Sequence, residues 1–204
     1  FTMVISSLII ILLILISFGI IENYYHNKSL KKIPIRIHVN GSRGKSSVTR
    51  LIAAGLRAGG LKTLAKTTGT ATRIIDENGQ DRVIHRLRSA SIGEQVRLLR
   101  NFAKKKPDVV VMECMAVNPQ YQWVSEHKMI KSTTSVITNV RPDHLDEMGL
   151  TLKDNAKSLS NTIPYNGNMV TIEGDLNRDG QLDISDQQID EIFIDVTKKR
   201  NTRL

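Results

Sequence analysis

The chain has 204 residues, 40% of them hydrophobic and 24% charged, with a formal net charge of +9 and only 4% aromatic residues. That length holds one medium domain plus an appendage, and the hydrophobic share suffices for a packed core. The single cysteine, Cys114, excludes an internal disulfide and suits a reducing compartment, while the scarcity of aromatics and the lack of a base-stacking motif argue against nucleic acid as the partner of the basic charge.

The first element in chain order is an apolar run. Met3 to Ile21 carries no charge and is long enough to cross a hydrocarbon layer as a helix. No basic residue precedes the run and no small-residue cleavage site follows it, which favours an anchor over a cleaved leader. Tyr24 and Tyr25 suit the interfacial belt, and Lys28, Lys31, Lys32 and Arg36 just beyond it place the downstream chain in the cytoplasm by the positive-inside rule. Residues 1–26 are thus expected as a single-pass cell-membrane anchor and 27–34 as a basic juxtamembrane linker; anionic lipid and an anionic substrate account for the charge.

Ile35 to Val39 alternates like a strand, and Ser47 to Leu56 has helical apolar spacing that stops at Gly59-Gly60. Between them lies Asn40-Gly41-Ser42-Arg43-Gly44-Lys45-Ser46-Ser47. Glycines in such a loop let successive amides point at phosphate oxygens, the lysine adds positive charge near the outer phosphates, and the serine offers a hydroxyl to Mg²⁺. The loop leaves two residues between its glycines where the common phosphate loop has four, so its weight comes from the flanking strand and helix. It points to ATP with Mg²⁺ as the cofactors.

Lys62 to Thr67 reads as a short strand leading to the hydroxyl-rich Thr67-Thr68-Gly69-Thr70, which would sit beside the phosphates. Arg73–Ile75 and Arg82–Ile84 flank Asn78-Gly79, a hairpin signal. Ile92 to Phe102 reads as an amphipathic helix with Val96, Leu99 and Ala103 on one side. Asp108 to Met112 is a continuous apolar strand of the kind buried on both faces of a parallel sheet. A helix from Pro119 to about Lys128 precedes a strand from Ser135 to Val140. This alternation predicts an α/β fold with ligands at the carboxyl ends of the strands. Glu113 follows one of those strands, and Asp143-His144-Leu145-Asp146 follows the next after Pro142. A carboxylate and an imidazole there suit a divalent cation held against a nucleotide.

Five ordered segments carry a family resemblance: the loop Asn40 to Ser46, Lys66 to Thr70, Met112 to Pro119, Asn139 to Asp146 and Thr162 to Gly167. Together they resemble the ATP-dependent ligase subunit of poly-γ-glutamate synthases, relatives of the Mur ligases and folylpolyglutamate synthases. The resemblance implies a P-loop-type Mur ligase central domain with a mostly parallel sheet over residues 35–172. It implies an acid–amino-acid ligase that phosphorylates a glutamate γ-carboxyl and joins it to another glutamate or to the growing polymer, alongside other membrane subunits of a synthase complex. Lys45, Glu113 and His144 would be the catalytic residues, with Ser46, Glu113 and His144 holding Mg²⁺. Gly41, Ser42, Arg43, Gly44, Lys45, Ser46, Ser47, Thr68 and Asn139 would bind nucleotide.

Mur ligases commonly carry a carbamylated lysine downstream of the histidine; Lys157 falls short of that place and Leu159 sits near it, so that role is not assigned. Relatives continue into a second ligase domain, so this chain is expected to be truncated before it and inactive alone. Residues 173–204 form a separate signal: Asp175, Asn177, Asp179, Gln181, Asp183 and Asp186 fit the spacing of an EF-hand or dockerin-like Ca²⁺ loop, followed by a helical stripe of Ile189, Ile192, Phe193 and Val196. The competing functional readings are a Mur-type ligase for another glutamyl acceptor and a non-catalytic nucleotide-binding or Ca²⁺-responsive scaffold.

Overall fold

The computed structural model describes residues 2–69, 72–84 and 93–171. The apolar run is one continuous helix, α1 (Thr2–Leu30), exposed on every side over its apolar part and long and apolar enough to cross a membrane. Its last turns do not hang free. Leu30 and Ile33 are buried in the main core. Arg36, read from sequence as a flanking charge, spends its guanidinium on carbonyls, donating to Ile33 at 2.5 Å and Lys131 at 2.9 Å. Residues expected as a linker are therefore the helix end and a turn packed onto the domain.

Strand β1 (Ile35–Asn40) grows more buried along its length and runs into helix α2 (Lys45–Ala58) through the glycine loop. Helix α2 ends in a paired turn: the Leu61 amide donates to Leu56 and the Gly60 amide to Arg57, with Gly60 at φ 85 where a side chain would be strained. Strands β2 (Thr63–Thr67), β3 (Arg73–Ile75) and β4 (Asp81–Val83) follow. The last two form the expected antiparallel hairpin around Gly79 at φ 80, and the Asp76 carboxylate accepts the amides of Asn78 and Gln80.

Helix α3 (Gly93–Lys104) buries Leu98, Leu99, Phe102 and Ala103; Val96, expected on that face, is only partly covered because the buried stripe is centred one residue further round. Strand β5 (Val109–Glu113) is wholly buried. Helix α4 (Pro119–Val124) starts at an Asn118 cap that accepts the Gln120 amide, then widens into a π-helical turn, Ser125–Ile130, before Lys131 turns left-handed at φ 48. The expected single helix is thus an α-to-π composite. Strand β6 (Thr134–Ile137) stops three residues before the expected Val140, because Thr138 and Asn139 turn back to bond the glycine loop. Helices α5 (Leu145–Met148) and α6 (Leu152–Leu159), a short 3₁₀ turn (Ser160–Thr162) and strand β7 (Asn168–Thr171) complete the described chain.

Among the described residues the sheet has seven strands in the order β4-β3-β2-β5-β1-β6-β7, all running the same way except β3, which pairs antiparallel with β2 and β4. Its central strand β5 is covered on both faces. Val110 and Met112 pack with α3, Leu30 and Ile33, while Val109 and Val111 join Val39, Ala53 and Ala65 beneath α2. That explains its unbroken apolar sequence, since neither face meets water. A third apolar cluster, including Ile137, Met148, Ala156 and Leu159, seats α6 beside β6.

Candidate functional site

Strand register builds the site. Val39 of β1 lies opposite Glu113 of β5 on one side and opposite Val136 of β6 on the other. Whatever follows those positions must therefore converge on the loop that leaves β1. The Cys114 amide donates to Val39, the Thr138 amide to Asn40 and the Ser42 amide to the Asn139 carbonyl. Three strand ends are stitched together just where the glycine loop begins.

The loop is shaped by two left-handed residues. Gly41 has φ 132, and a Cβ there would overlap the Thr138 hydroxyl and crowd its backbone nitrogen. Gly44 has φ 81 with open space around it and caps the first turn of α2. No side chain caps that helix start, leaving its first amides free for an acceptor outside the helix. Lys45 folds back over the loop, its ammonium donating to the carbonyls of Gly41 at 2.7 Å and Ser42 at 3.1 Å.

Glu113 is buried to 2% exposure at the end of β5. Its carboxylate accepts the Ser46 hydroxyl at 2.9 Å and the Thr68 amide at 2.7 Å. The first turn of α2 and the end of β2 thereby each contribute one partner to the carboxylate that ends β5. Ser46 Oγ beside two carboxylate oxygens is a hard-oxygen donor set that fits Mg²⁺ or Mn²⁺, which take few protein ligands and leave other positions to phosphate and water. Among the described residues no group of three or more His, Cys, Asp or Glu side chains is close enough to form an all-protein metal cage.

A cavity of about 290 Å³ opens over this end of the sheet, lined by Gly41, Ser42, Lys45, Thr68, Glu113 and His144 among others. Six of the residues singled out in the sequence thus meet in one place. His144 stands at the cavity's outer edge on the left-handed residue that starts α5, with its side chain 55% exposed and Nε2 4.0 Å from the Asp143 carboxylate. Arg43, Gly44 and Asn139 are separated from that group and line a smaller pocket of about 180 Å³ on the other side of the loop. Asn139 braces rather than faces the cavity, since its amide group bonds both the amide and the carbonyl of Arg43. Arg43 itself reaches Asp143 at 3.3 Å from an exposed position. Ser42 lines the cavity, but its hydroxyl is occupied on both sides by the backbone of Arg141. Ser47 is exposed on the first turn of α2, and Lys157 is exposed on α6 while Leu159 lines the cavity. Asp175, Asn177, Asp179, Gln181, Asp183 and Asp186, read as a Ca²⁺ loop, lie outside the described residues, as does Thr70.

A buried polar chain behind the cavity was not found by pattern. Asn40 donates to Gln122 at 2.9 Å and to Thr162 at 3.3 Å, and Gln122 in turn donates to the Val117 carbonyl and to Ser158. These contacts tie the root of the glycine loop to α4, α6 and the 3₁₀ turn. One step deeper, His38 Nδ1 lies 2.8 Å from Glu126, whose other carboxylate oxygen accepts the amide and hydroxyl of Ser132. Burial alone would depress the His38 imidazole, but the Cys114 thiol and the Glu126 carboxylate outweigh it and push its pKa up to about 9. Cys114 is buried and bonded toward the Ala116 carbonyl, which suits a structural thiol.

A parallel sheet with a glycine loop between β1 and α2, and a carboxylate on the neighbouring strand facing the first serine of that helix, defines a P-loop-type α/β domain. The chain belongs to the Mur ligase middle domain family, which it matches over residues 39–191. It is 42% identical over 194 residues to the capsule biosynthesis protein CapB of Bacillus anthracis, covering 93% of this chain and 39% of that protein. It is 37% identical over 199 residues to the PGA synthase CapB of Bacillus subtilis (strain 168), covering 97% of this chain and 47% of the relative. The chain therefore spans less than half the length of either relative. Among solved structures, an FPGS–AMPPCP complex superposes with a TM-score of 0.60 at 19% identity, over 89% of this chain and 47% of that one. E. coli FolC with DHPP and ADP superposes with a TM-score of 0.59 at 16% identity, over 88% and 43%. At those identities the likeness is one of fold.

Proposed function

We propose that this chain carries the ATP-binding part of an amide ligase that forms γ-glutamyl bonds in poly-γ-glutamate capsule synthesis. The observation that carries this reading is Glu113, held by Ser46 and Thr68 at the mouth of the glycine loop. The names and identity of the two CapB relatives support the capsule polymer as the product.

In this reading the free amides at the start of α2 bind the phosphates of ATP. Lys45 releases its loop carbonyls to meet the transferred phosphoryl group, where its charge stabilises the transition state. Ser46 and Glu113 hold Mg²⁺, with His144 at a second ion or as its positioner; the metal supplies charge neutralisation on the phosphate oxygens. An oxygen of the glutamate γ-carboxylate attacks the terminal phosphorus, the bond to ADP breaks, and an acyl phosphate forms. The amino nitrogen of the acceptor then attacks the acyl carbon, phosphate leaves, and the nitrogen loses a proton to solvent. The apolar wall of the cavity, Met115 to Val117 with Met148 and Leu159, keeps water from the acyl phosphate.

The acceptor is a glutamate or the end of the polymer, and the partners are further membrane subunits of a synthase. Helix α1 anchors the domain, with the basic residues after it on the cytoplasmic side. In the same reading Asp175, Asn177, Asp179, Gln181, Asp183 and Asp186 supply the oxygen ligands of a Ca²⁺ ion. The deciding experiment is glutamate-dependent ADP release by the complete assembly with hydroxylamine present. Trapped γ-glutamyl hydroxamate, absent in Lys45→Ala, supports the mechanism; ATP binding without glutamate-dependent turnover would make the chain a nucleotide-binding scaffold.

A further inference from the structure

A second cavity, about 450 Å³, lies between α1 and α3 and shares no lining residue with the first. One wall is apolar and belongs to the exposed face of α1: Phe18, Ile21 and Tyr25. The opposite rim is cationic and brings together Lys32 after α1 with Arg100 and Lys104 of α3. The charge of Arg100 is already paired, because its two terminal nitrogens grip Glu22 through both carboxylate oxygens at 2.7 and 2.8 Å and through its carbonyl at 2.9 Å. That grip fixes α3 against α1. The side chains of Lys32 and Lys104 have no hydrogen bond or ion pair among the described residues, so the groove keeps two uncompensated positive charges above an apolar wall.

The position of the groove says what fills it. Nineteen residues from Met3 to Ile21 rise about 28 Å as a helix, close to the thickness of a bilayer's hydrocarbon core at about 30 Å. The hydrocarbon boundary therefore falls at Ile21 and Glu22, with Phe18 just inside it and Tyr25 at the interface, while Lys32 starts about 15 Å further out and, like Lys104 across the groove, reaches back toward the headgroups through its flexible stem. Resting on the membrane reading of α1, we propose that this groove is a binding site for one anionic phospholipid of the surrounding bilayer. Its acyl chain lies along Phe18 and Ile21, and its phosphate and headgroup meet Lys32 and Lys104. The charge complementarity and the continuity of the apolar wall with the membrane-facing surface of α1 both select a lipid over a soluble anion. A lipid so placed sets the height at which the domain, and hence its cavity, rides above the membrane.

The full chain is reconstituted in vesicles of phosphatidylcholine with phosphatidylglycerol, floated, released in mild detergent and weighed by native mass spectrometry. The expected result is flotation of every variant, with phosphatidylglycerol retained over phosphatidylcholine by the parent chain and by Lys153→Glu on α6. Retention should drop at least about tenfold in Lys32→Gln/Lys104→Gln, as two lost cations at an anionic surface require. Circular dichroism of that neutral variant checks that it is folded. Equal retention of the two lipids, unchanged retention in a folded double variant, or a second protein in place of lipid would each overturn the site while leaving the anchor standing. Failure of the parent chain to float would overturn the anchor and the lipid site together.

Discussion

Gly41 and Gly44 show how differently two glycines of one loop can be constrained. At Gly41 a methyl group would meet Thr138 side chain and backbone at once, so Gly41→Ala must displace the loop from β6. At Gly44 nothing lies within 4 Å, and alanine incurs only the left-handed backbone penalty of about 1–2 kcal/mol. Calorimetry with ATP should therefore find binding lost in Gly41→Ala and retained, though weakened, in Gly44→Ala. Lys45→Ala should lower ADP release in the assembly by about 10² to 10³, the usual effect of removing a charge aimed at a transferring group. Unchanged turnover would remove Lys45 from the chemistry. Glu113→Gln keeps an oxygen for Ser46 and Thr68 but loses its charge, so nucleotide affinity should lose its Mg²⁺ dependence while metal-free affinity stays the same. Gly41, Lys45, Ser46, Glu113 and His144 were all legible from residue type and spacing. Asn139 was read from the sequence as a nucleotide contact; that it braces Arg43 rather than lining the main cavity depends on where β6 ends.

At the level of elements, local rules account for most of the boundaries. Helix α6 begins with a complete capping box, in which Thr151 accepts the Asp154 amide at 3.1 Å and Asp154 accepts the Thr151 amide at 3.2 Å. Thr151→Ala should lower stability by about 1 kcal/mol, measured as a fall in midpoint on thermal unfolding. Because α6 supplies Ser158 to Gln122 and Leu159 to the cavity wall, a larger drop in nucleotide affinity than in stability would show that the helix positions the loop through Asn40. The hairpin at Gly79 and the stop at Gly60 follow from residues that tolerate positive φ. The π-helical turn at Ser125–Ile130 does not follow from any local signal. It sits where Glu126 turns inward to His38, a demand made by a strand 88 positions earlier in the chain.

At the scale of the whole molecule, that same buried pair ties the sheet to the helical layer packed on it. His38 binds its proton more tightly when folded than its ordinary value of 6.5 allows, with a pKa near 9. A group whose folded pKa is raised stabilises fully below the unfolded value and loses that contribution as the pH climbs through the folded one. Stability of the detergent-solubilised chain should therefore decline steadily between pH 6.5 and 9, followed by thermal unfolding. A flat profile across that window would mean that the Glu126 interaction does not hold a charged imidazole. The same pair couples β1, which delivers the glycine loop, to the segment after α4.

Sequence by itself determined the membrane-crossing length of α1, the alternation of strands and helices, and the loop chemistry from Asn40 to Ser47. Those properties are local: composition, periodicity and backbone tolerance act over a few neighbouring residues. Only the tertiary structure decided that β5 sits between β1 and β2, and so that Glu113 meets both Ser46 and Thr68. It alone decided that Asn139 braces the loop, that the end of α1 is packed into the core, and that Lys32 and Lys104 face one groove. Strand order and register join residues scores of positions apart, and a side chain's neighbours across a sheet leave no mark on the spacing of its own segment.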